Sequence, residues 1–518
     1  MKNLMVSCAA ASMAWLGMTT AASAAGFQIE EASVEQLQAE MSAGRLTART
    51  LVEHYLMRIE ALDRHGPQLN SVIELNPDAR DIADALDKER ADRQVRGPLH
   101  GIPVLIKDNI DTADKMLTTA GSLALIGSKP AKDAFIVSRL RAAGAVILGK
   151  TNLSEWANMR SQNSTSGWSA RGGLTRNAYD PTRTACGSSS GSGVAAAASF
   201  AAITVGTETD GSIVCPSGIN GIVGLKPTVG LVSRSGIIPI SVTQDTAGPM
   251  TRTVADAALL LQALAGEDSE DSATSAIRQH AVPDYVAAVR GATLRGVRLG
   301  VARNMAGFQE SVDGVFEQAI RALQAAGAEI VDPVTLERAK SANDDENIIL
   351  EYEFKDGLNR YLAGRSPGPR TLAELIEFNE RERALELPYF GQEIFKSAQG
   401  RGPLTTPEYR TAVERARRAA GRDGIDKLLK AQKLDAIVAP TVGLAWVMDL
   451  VNGDHYTGGS ASQYAAMAGY PHLTVPAGYA HGLPVGISFI GPAWSEAKLL
   501  AVGAAFEQAT RARRAPRL

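Results

Sequence analysis

The chain has 518 residues, of which 45% are hydrophobic and 21% charged, with a formal net charge of −3 at pH 7. A length of this order fits two to four domains, although large α/β enzymes often fold as one. A pI near 6.2 argues against nucleic acid or an anionic membrane as the main partner, so neither is expected.

The first 24 residues predict an export signal. Lys2 is followed by a run of apolar and small residues, and Ala22, Ser23 and Ala24 precede the expected cleavage point. Ser and Thr interrupt the run, which is also too short for a spanning helix. An ordinary frayed terminus is the alternative interpretation. We therefore expect a periplasmic or secreted protein whose mature chain is residues 25–518.

After this segment the chain alternates between helical and strand patterns. Ser33 and Gln36 form a capping box at the start of a short helix. The hydrophobic patterns that follow predict helices at 48–62, 253–265, 313–326, 464–468 and 495–510, and the end of a further helix at 137–143. They predict strands at 101–106, 145–148, 296–301, 329–331, 434–440, 473–476 and 484–490. Residues 337–430 are mostly helical, with aromatic side chains that we interpret as packing on a solvated face, or as a wall of a substrate cleft. The alternation predicts a single large α/β domain, with a mixed central sheet covered by helices on both faces.

The stretch from Thr184 to Pro216 carries the strongest chemical signal. Two glycine-rich loops that contain serines, at 187–193 and 207–212, flank an alanine-rich helical segment and a short β-branched strand. About ten helical residues cover ~15 Å, and five or six extended residues cover ~18 Å in return. Ser188 and Ser212, although 24 positions apart, can therefore meet.

A serine nucleophile needs a base, and no histidine lies near these loops in sequence. His100 and His280 are the nearest, and both lie outside the loops. Lys107 ends the apolar run at 102–106, which predicts a buried strand. Burial lowers the pKa of a lysine, and Lys107 is therefore our candidate base.

Four sequence segments together resemble the amidase signature family in order and spacing, over a match from about Val34 to the C-terminal region. They are GIPVLIKDNID with TTAGS following, GKTNLSEWA, CGSSSGSG and GTETDGSIVCPSGINGIVGLKPTVG. Within this family, the segments GSSSGSG, GTETDGSIVCP and SGIIPISVTQDTAGPM are most similar to those of bacterial peptide amidases, which hydrolyse the C-terminal amide of peptides.

The resemblance implies a role for each matching residue. Ser212 would be the acylated nucleophile, Ser188 a bridging serine joined to Gly187 by a cis peptide bond, and Lys107 the base that accepts the proton through Ser188. Ser189 would orient its neighbours by hydrogen bonds. The oxyanion would be held by the backbone N–H groups of Thr209, Asp210, Gly211 and Ser212.

Two positions depart from the common family pattern. Asp210 replaces a glycine before the nucleophile, and Val214 stands where many members carry arginine. Without that cation an acidic substrate loses a partner, so we expect a neutral acyl group.

Three further sequence patterns match motifs of other enzyme or nucleotide-binding families, but in each case the local sequence argues against that function. Residues 187–191 also satisfy the nucleophile-elbow pattern, with Ser189 as nucleophile and His472 or His481 as base, but the hydrophobic strand that an elbow needs is missing before them. Residues 144–151 satisfy the P-loop pattern, but an apolar β-branched run replaces the phosphate cradle. Ser495 with Lys498 resembles a penicillin-binding nucleophile box, yet a serine opening a helix is usually a cap.

Cys186 and Cys215 remain after the signal, and each adjoins one of the two loops. We expect two buried thiols, with a disulfide as the alternative in an oxidising compartment. No cluster of His, Cys or acidic residues has metal-ligand spacing, so we predict no metal and no cofactor.

These observations together predict an exported serine amidohydrolase that acts on a small-molecule or peptide amide. Peptide amides are the expected substrates, and aliphatic, aryl or fatty acid amides are the alternatives. A catalytically silent binding protein on the same fold is the alternative from another class. The sequence does not indicate the oligomeric state.

Overall fold

The protein is described here by a computed structural model that covers residues 27–456 and 458–518. The predicted export signal therefore lies outside the described residues. In chain order the strands are β1 Val72–Leu75, β2 Pro103–Lys107, β3 Val146–Thr151, β4 Trp168–Ser169, β5 Gly173–Leu174, β6 Ile203–Glu208, β7 Val223–Lys226, β8 Thr246–Thr251, β9 Arg298–Ala302, β10 Glu329–Val334, β11 Ala436–Pro440, β12 His472–Ala480 and β13 Leu483–Ile490.

One mixed sheet of eleven strands organises the molecule, in the order β1-β3-β2-β6-β8-β7-β12-β13-β11-β9-β10. Strand β2 pairs in parallel with β3 on one side and β6 on the other. The pairs from β6 through β8, β7, β12 and β13 to β11 are antiparallel, while β11, β9 and β10 are parallel. The carboxyl ends of β2 and β6, which precede the candidate site, therefore lie side by side.

Helices flank this sheet. They are α1 Val34–Ser42, α2 Ala48–Ile59, α3 Ala79–Ala91, α4 Phe135–Ala142, α5 Ser190–Ala197, α6 Val214–Ile219, α7 Val254–Leu264, α8 Tyr285–Val289, α9 Glu310–Ala325, α10 Ala342–Ala363, α11 Leu372–Arg381, α12 Arg383–Glu386, α13 Glu393–Gly400, α14 Pro407–Arg417, α15 Lys427–Gln432, α16 Gln463–Ala468 and α17 Glu496–Thr510. Over the residues that the structure covers, none of these helices is long and apolar enough to cross a membrane.

A second hydrophobic cluster lies beside the candidate site. Helix α10 contributes Phe354 and Leu358 and helix α13 contributes Phe395, which pack with Trp156 and Ile238. This cluster fixes helix α10 against the loop that follows β7. It explains most of the aromatic side chains between residues 352 and 395 as packing.

The sequence predictions of an α/β fold and a mixed sheet are confirmed, and most predicted helices and strands agree within a few residues. Strands β1, β7 and β8 and helix α3 were not predicted. Strand β8 reads TAGPMT, whose Gly and Pro disfavour strands. Its conformation is imposed by pairing between β6 and β7, which is a long-range effect.

Candidate active site

Strand β2 places Lys107 in the middle of the parallel part of the sheet. Lys107 is the last residue of β2, and its side chain is completely buried. Its Nζ lies 2.7 Å from Ser188 Oγ, 2.9 Å from Thr207 Oγ1 and 3.3 Å from the Thr207 carbonyl oxygen. The lysine amine therefore faces a serine hydroxyl inside the protein and not the solvent.

Burial sets the charge of this amine. It lowers the pKa of Lys107 from its ordinary value of 10.5 to about 7, although the negative charges of Asp245 and Glu208 partly oppose the shift. A substantial fraction of the amine is consequently neutral at pH 7. A neutral amine has a lone pair that can accept a proton.

The path from Ser188 to Ser212 follows the predicted helix and strand. Helix α5 leads away from Ser188, and β6 returns towards Ser212, so that the Ser189 N–H donates to the Ser212 carbonyl oxygen at 3.2 Å. The peptide bond between Gly187 and Ser188 is cis. A Cβ at Gly187 would lie 2.2 Å from Ser154 Oγ, so the close approach of this loop requires glycine.

The loop of residues 209–212, which we call the nucleophile loop, is anchored at both ends. Glu208 Oε2 accepts hydrogen bonds from the backbone N–H groups of Ile213 (2.7 Å) and Val214 (3.0 Å). At the other end Thr209 Oγ1 donates to Asp245 at 2.6 Å. Two carboxylates thus fix the conformation of the loop.

Backbone donors in this loop are free to bind a ligand. Within the described ranges, the N–H groups of Asp210, Gly211 and Ser212 donate to no protein acceptor. Gly211 has a φ of +77°, a conformation that glycine adopts readily. The Ser212 side chain is nearly buried, and its Oγ forms no hydrogen bond with the described residues, Ser188 included. Of the three predicted side chains, Lys107 and Ser188 are in contact, and Ser212 is linked to them through the backbone.

The structure separates the rival nucleophile from its candidate bases. Ser189 is buried, and its Oγ donates to the Thr207 carbonyl oxygen at 3.0 Å. His472 instead contacts Ser488 Oγ at 2.6 Å, and His481 lines a separate cavity with Trp446. The pattern at residues 144–151, which resembles a P-loop, is occupied by the buried strand β3.

The expectation of two free thiols is wrong. Cys186 and Cys215 form a disulfide with their Cα atoms 6.1 Å apart. The bond joins a position two residues before Ser188 to one three residues after Ser212. The sequence did not fix this pairing because it depends on how closely the two loops approach each other.

A cavity of about 250 Å³ opens beside the nucleophile loop. Asn109, Thr207 and Thr209 line it next to the loop, and residues 237–240 with Val242 form an apolar wall. The remaining lining includes the charged residues Arg234, Asp245, Glu270, Asp271, Glu353 and Arg360. Tyr361 of α10 also lines it, and among the described aromatic residues between 352 and 395 it is the one that does so. Asn109, Thr207 and Asp245 were not predicted as site residues. Their only signal was their position beside residues that had been singled out.

Comparisons with known proteins agree with this geometry. A family model described as Amidase matches residues 50–500. A probable amidase of Arabidopsis thaliana is 41% identical over 95% of this chain and 92% of its own length. The structure of the native peptide amidase from Stenotrophomonas maltophilia is 53% identical with a TM-score of 0.89, covering 94% of this chain and 99% of that protein. The structure of the peptide amidase PAM in complex with the competitive inhibitor chymostatin is 54% identical in sequence, with a TM-score of 0.92. The match covers 95% of this chain and 100% of that protein.

Proposed function

Because this chain belongs to the amidase family and is an amidase hydrolase, we propose that it hydrolyses the C-terminal amide of peptides through an acyl-enzyme on Ser212. The supporting relatives are the peptide amidases, which resemble it over almost all of their length. The apolar wall of the cavity beside Thr209 suits an uncharged acyl group. Val214, in place of a cation, is consistent with the same class of substrate.

The observation that carries the mechanism is the 2.7 Å contact between Lys107 Nζ and Ser188 Oγ in a fully buried environment. Neutral Lys107 accepts the Ser188 proton as Ser188 accepts the Ser212 proton. Rotation of the Ser212 side chain closes the remaining gap when substrate is bound, since such contacts often tighten only in the complex. Ser212 Oγ then attacks the amide carbonyl carbon.

The resulting oxyanion accepts hydrogen bonds from the backbone N–H groups of residues 209–212. A single donor of this kind is typically worth about 3 kcal/mol in the transition state. The proton held by Lys107 passes to the departing nitrogen, which leaves as ammonia. Water then attacks the carbonyl carbon of the acyl-enzyme as it gives a proton to Ser188, which passes its own proton to neutral Lys107. When this second intermediate breaks its bond to Ser212 Oγ, the proton returns to Ser212 through Ser188, and the acid product ionises to a carboxylate.

We also propose that the protein is exported. The first 24 residues read as a signal, and the Cys186–Cys215 disulfide suits an oxidising compartment. N-terminal sequencing of the protein recovered from the periplasm or medium should start near Ala25. Recovery of an intact Met1 terminus from the cytoplasm would contradict export.

Ammonia release from peptide amides, aliphatic amides, aryl amides and acyl ethanolamides tests the substrate proposal, since peptide amides should have the highest kcat/KM.

A fluorophosphonate probe should label wild type at Ser212, and Ser212→Ala should abolish both labelling and turnover. Ser189→Ala is the matched control because Ser189 is buried in the same loop region, and it should still be labelled. Loss of labelling only in Ser189→Ala would reverse the assignment, and a folded wild type that is never labelled would indicate a binding protein.

A further inference from the structure

Asp210 presents a side chain that the mechanism above does not use. Asp210 as a whole is partly exposed, but its side-chain oxygen Oδ1 is buried and has no hydrogen-bond partner among the described residues. A buried carboxylate oxygen without a donor is costly, and such exceptions in native proteins usually have a reason.

Asp210 lies in the loop whose backbone N–H groups would bind the carbonyl oxygen of an amide substrate. Asp210 lies two residues before Ser212, and the backbone N–H groups of residues 210–212 have no acceptor within the described ranges. A carbonyl oxygen held by these groups lies next to the Asp210 backbone. The α-carbon of the acyl group is one bond from that carbonyl carbon, so its substituents lie beside the nucleophile loop that carries Asp210.

Asp210 and Glu346 are neighbouring buried acids, and burial raises the pKa of each. Glu346 accepts hydrogen bonds from Gln244 and Gln463, each at 2.9 Å. Burial and the nearby Asp210 raise the pKa of Glu346. Burial also raises the pKa of Asp210, an effect that the Ser462 hydroxyl partly offsets. The positive charges of Arg338 and Lys226 also oppose the rise in the pKa of Asp210.

We infer that the Asp210 carboxylate accepts a hydrogen bond from an N–H group on the α-carbon of the substrate acyl group. Amides of α-amino acids would then be preferred to plain aliphatic or aryl amides of similar size. This inference rests on the proposed function, since it assumes acylation at Ser212. An acylated peptide nitrogen and a free α-ammonium group offer the same donor chemistry, and the experiment separates them.

The test compares three amides with the same side chain. N-acetyl-L-leucinamide carries an acylated α-nitrogen, L-leucinamide carries a free one, and 4-methylpentanamide has hydrogen in its place. The readout is the ratio of kcat/KM for each leucinamide to kcat/KM for 4-methylpentanamide. Because both values come from one preparation, a smaller folded fraction in a variant cancels in the ratio.

Wild type should favour the leucinamides, and Asp210→Gly should lower the preference about ten- to hundredfold, as expected for a lost hydrogen bond to a charged group. Glu346→Gln is the control for a nearby carboxyl group and should change the ratio less than about threefold. Asp210→Asn keeps an acceptor oxygen, so a selective loss for L-leucinamide would identify the ammonium as the natural donor. An equal small loss for both leucinamides would identify the neutral N–H.

Equal slowing of all three amides in Asp210→Gly would overturn the inference, because Asp210 would then act only on the shape of the loop. A wild-type ratio near one would overturn it as well. Absence of ammonia release from every amide by wild type would instead contradict the proposed function. The two failures are therefore distinguishable.

Discussion

Two buried lysines of the central sheet look alike in sequence but differ in their partners. Lys107 ends β2 after IPVLI, and Lys226 ends β7 after GIVGL. Both side chains are fully buried, and burial lowers the pKa of Lys107 to about 7 and that of Lys226 to about 8. Neither burial nor pKa distinguishes the candidate base from the other lysine.

The acceptors distinguish them. Lys107 contacts the hydroxyl of Ser188, which can give up a proton and receive another. Lys226 donates to the carbonyl oxygens of Tyr470 (2.8 Å) and Pro227 (3.3 Å), which have no proton to exchange. A desolvated amine is a candidate base only when its hydrogen-bond partner leads to a nucleophile.

The largest expected effect comes from removing the first of these amines. Lys107→Ala should lower kcat about 10³-fold, within the usual range for loss of a general base. Circular dichroism and thermal unfolding should show a folded protein. Retention of most of the rate at neutral pH would remove Lys107 from the mechanism.

The second prediction concerns the pH dependence of the wild type. Only the neutral amine can act as base, so kcat/KM should fall about tenfold per pH unit below 7 and level off above it. Lys107 also favours folding more as pH rises from about 7 to 10.5, because the unfolded lysine binds more protons than the folded one in that window. A rate profile that is flat between pH 5 and 8 would contradict the assignment.

The smallest effect on catalysis should come from the second lysine. Lys226→Met leaves the Tyr470 carbonyl oxygen without its donor, which costs about 1–3 kcal/mol of stability. The melting temperature should therefore fall by about 1–3 °C while kcat falls less than tenfold. If a folded Lys226→Met variant lost as much kcat as Lys107→Ala, the conclusion that only Lys107 takes part in catalysis would be wrong.

The lysine pair also illustrates what sequence could and could not predict. The run before Lys107 predicted a buried strand, and the spacing of the glycine-rich loops predicted that helix α5 and strand β6 would bring Ser188 and Ser212 together. Lys226 was not singled out, because strand β7 has only four residues and forms within long-range pairs. Hydrogen-bond partners such as Thr207 and the Cys186–Cys215 bond depend on tertiary approach, which local patterns do not encode.

The elements that carry the proton path differ from those that form the apolar wall of the cavity. Lys107, Ser188 and Ser212 are held by β2, β6 and the loops beside them, whereas the cavity wall comes from residues 237–242 and helix α10. Exchanging wall residues should therefore retune which acyl groups enter without disturbing the chemistry behind them. Directed evolution of this scaffold would best confine its libraries to that wall.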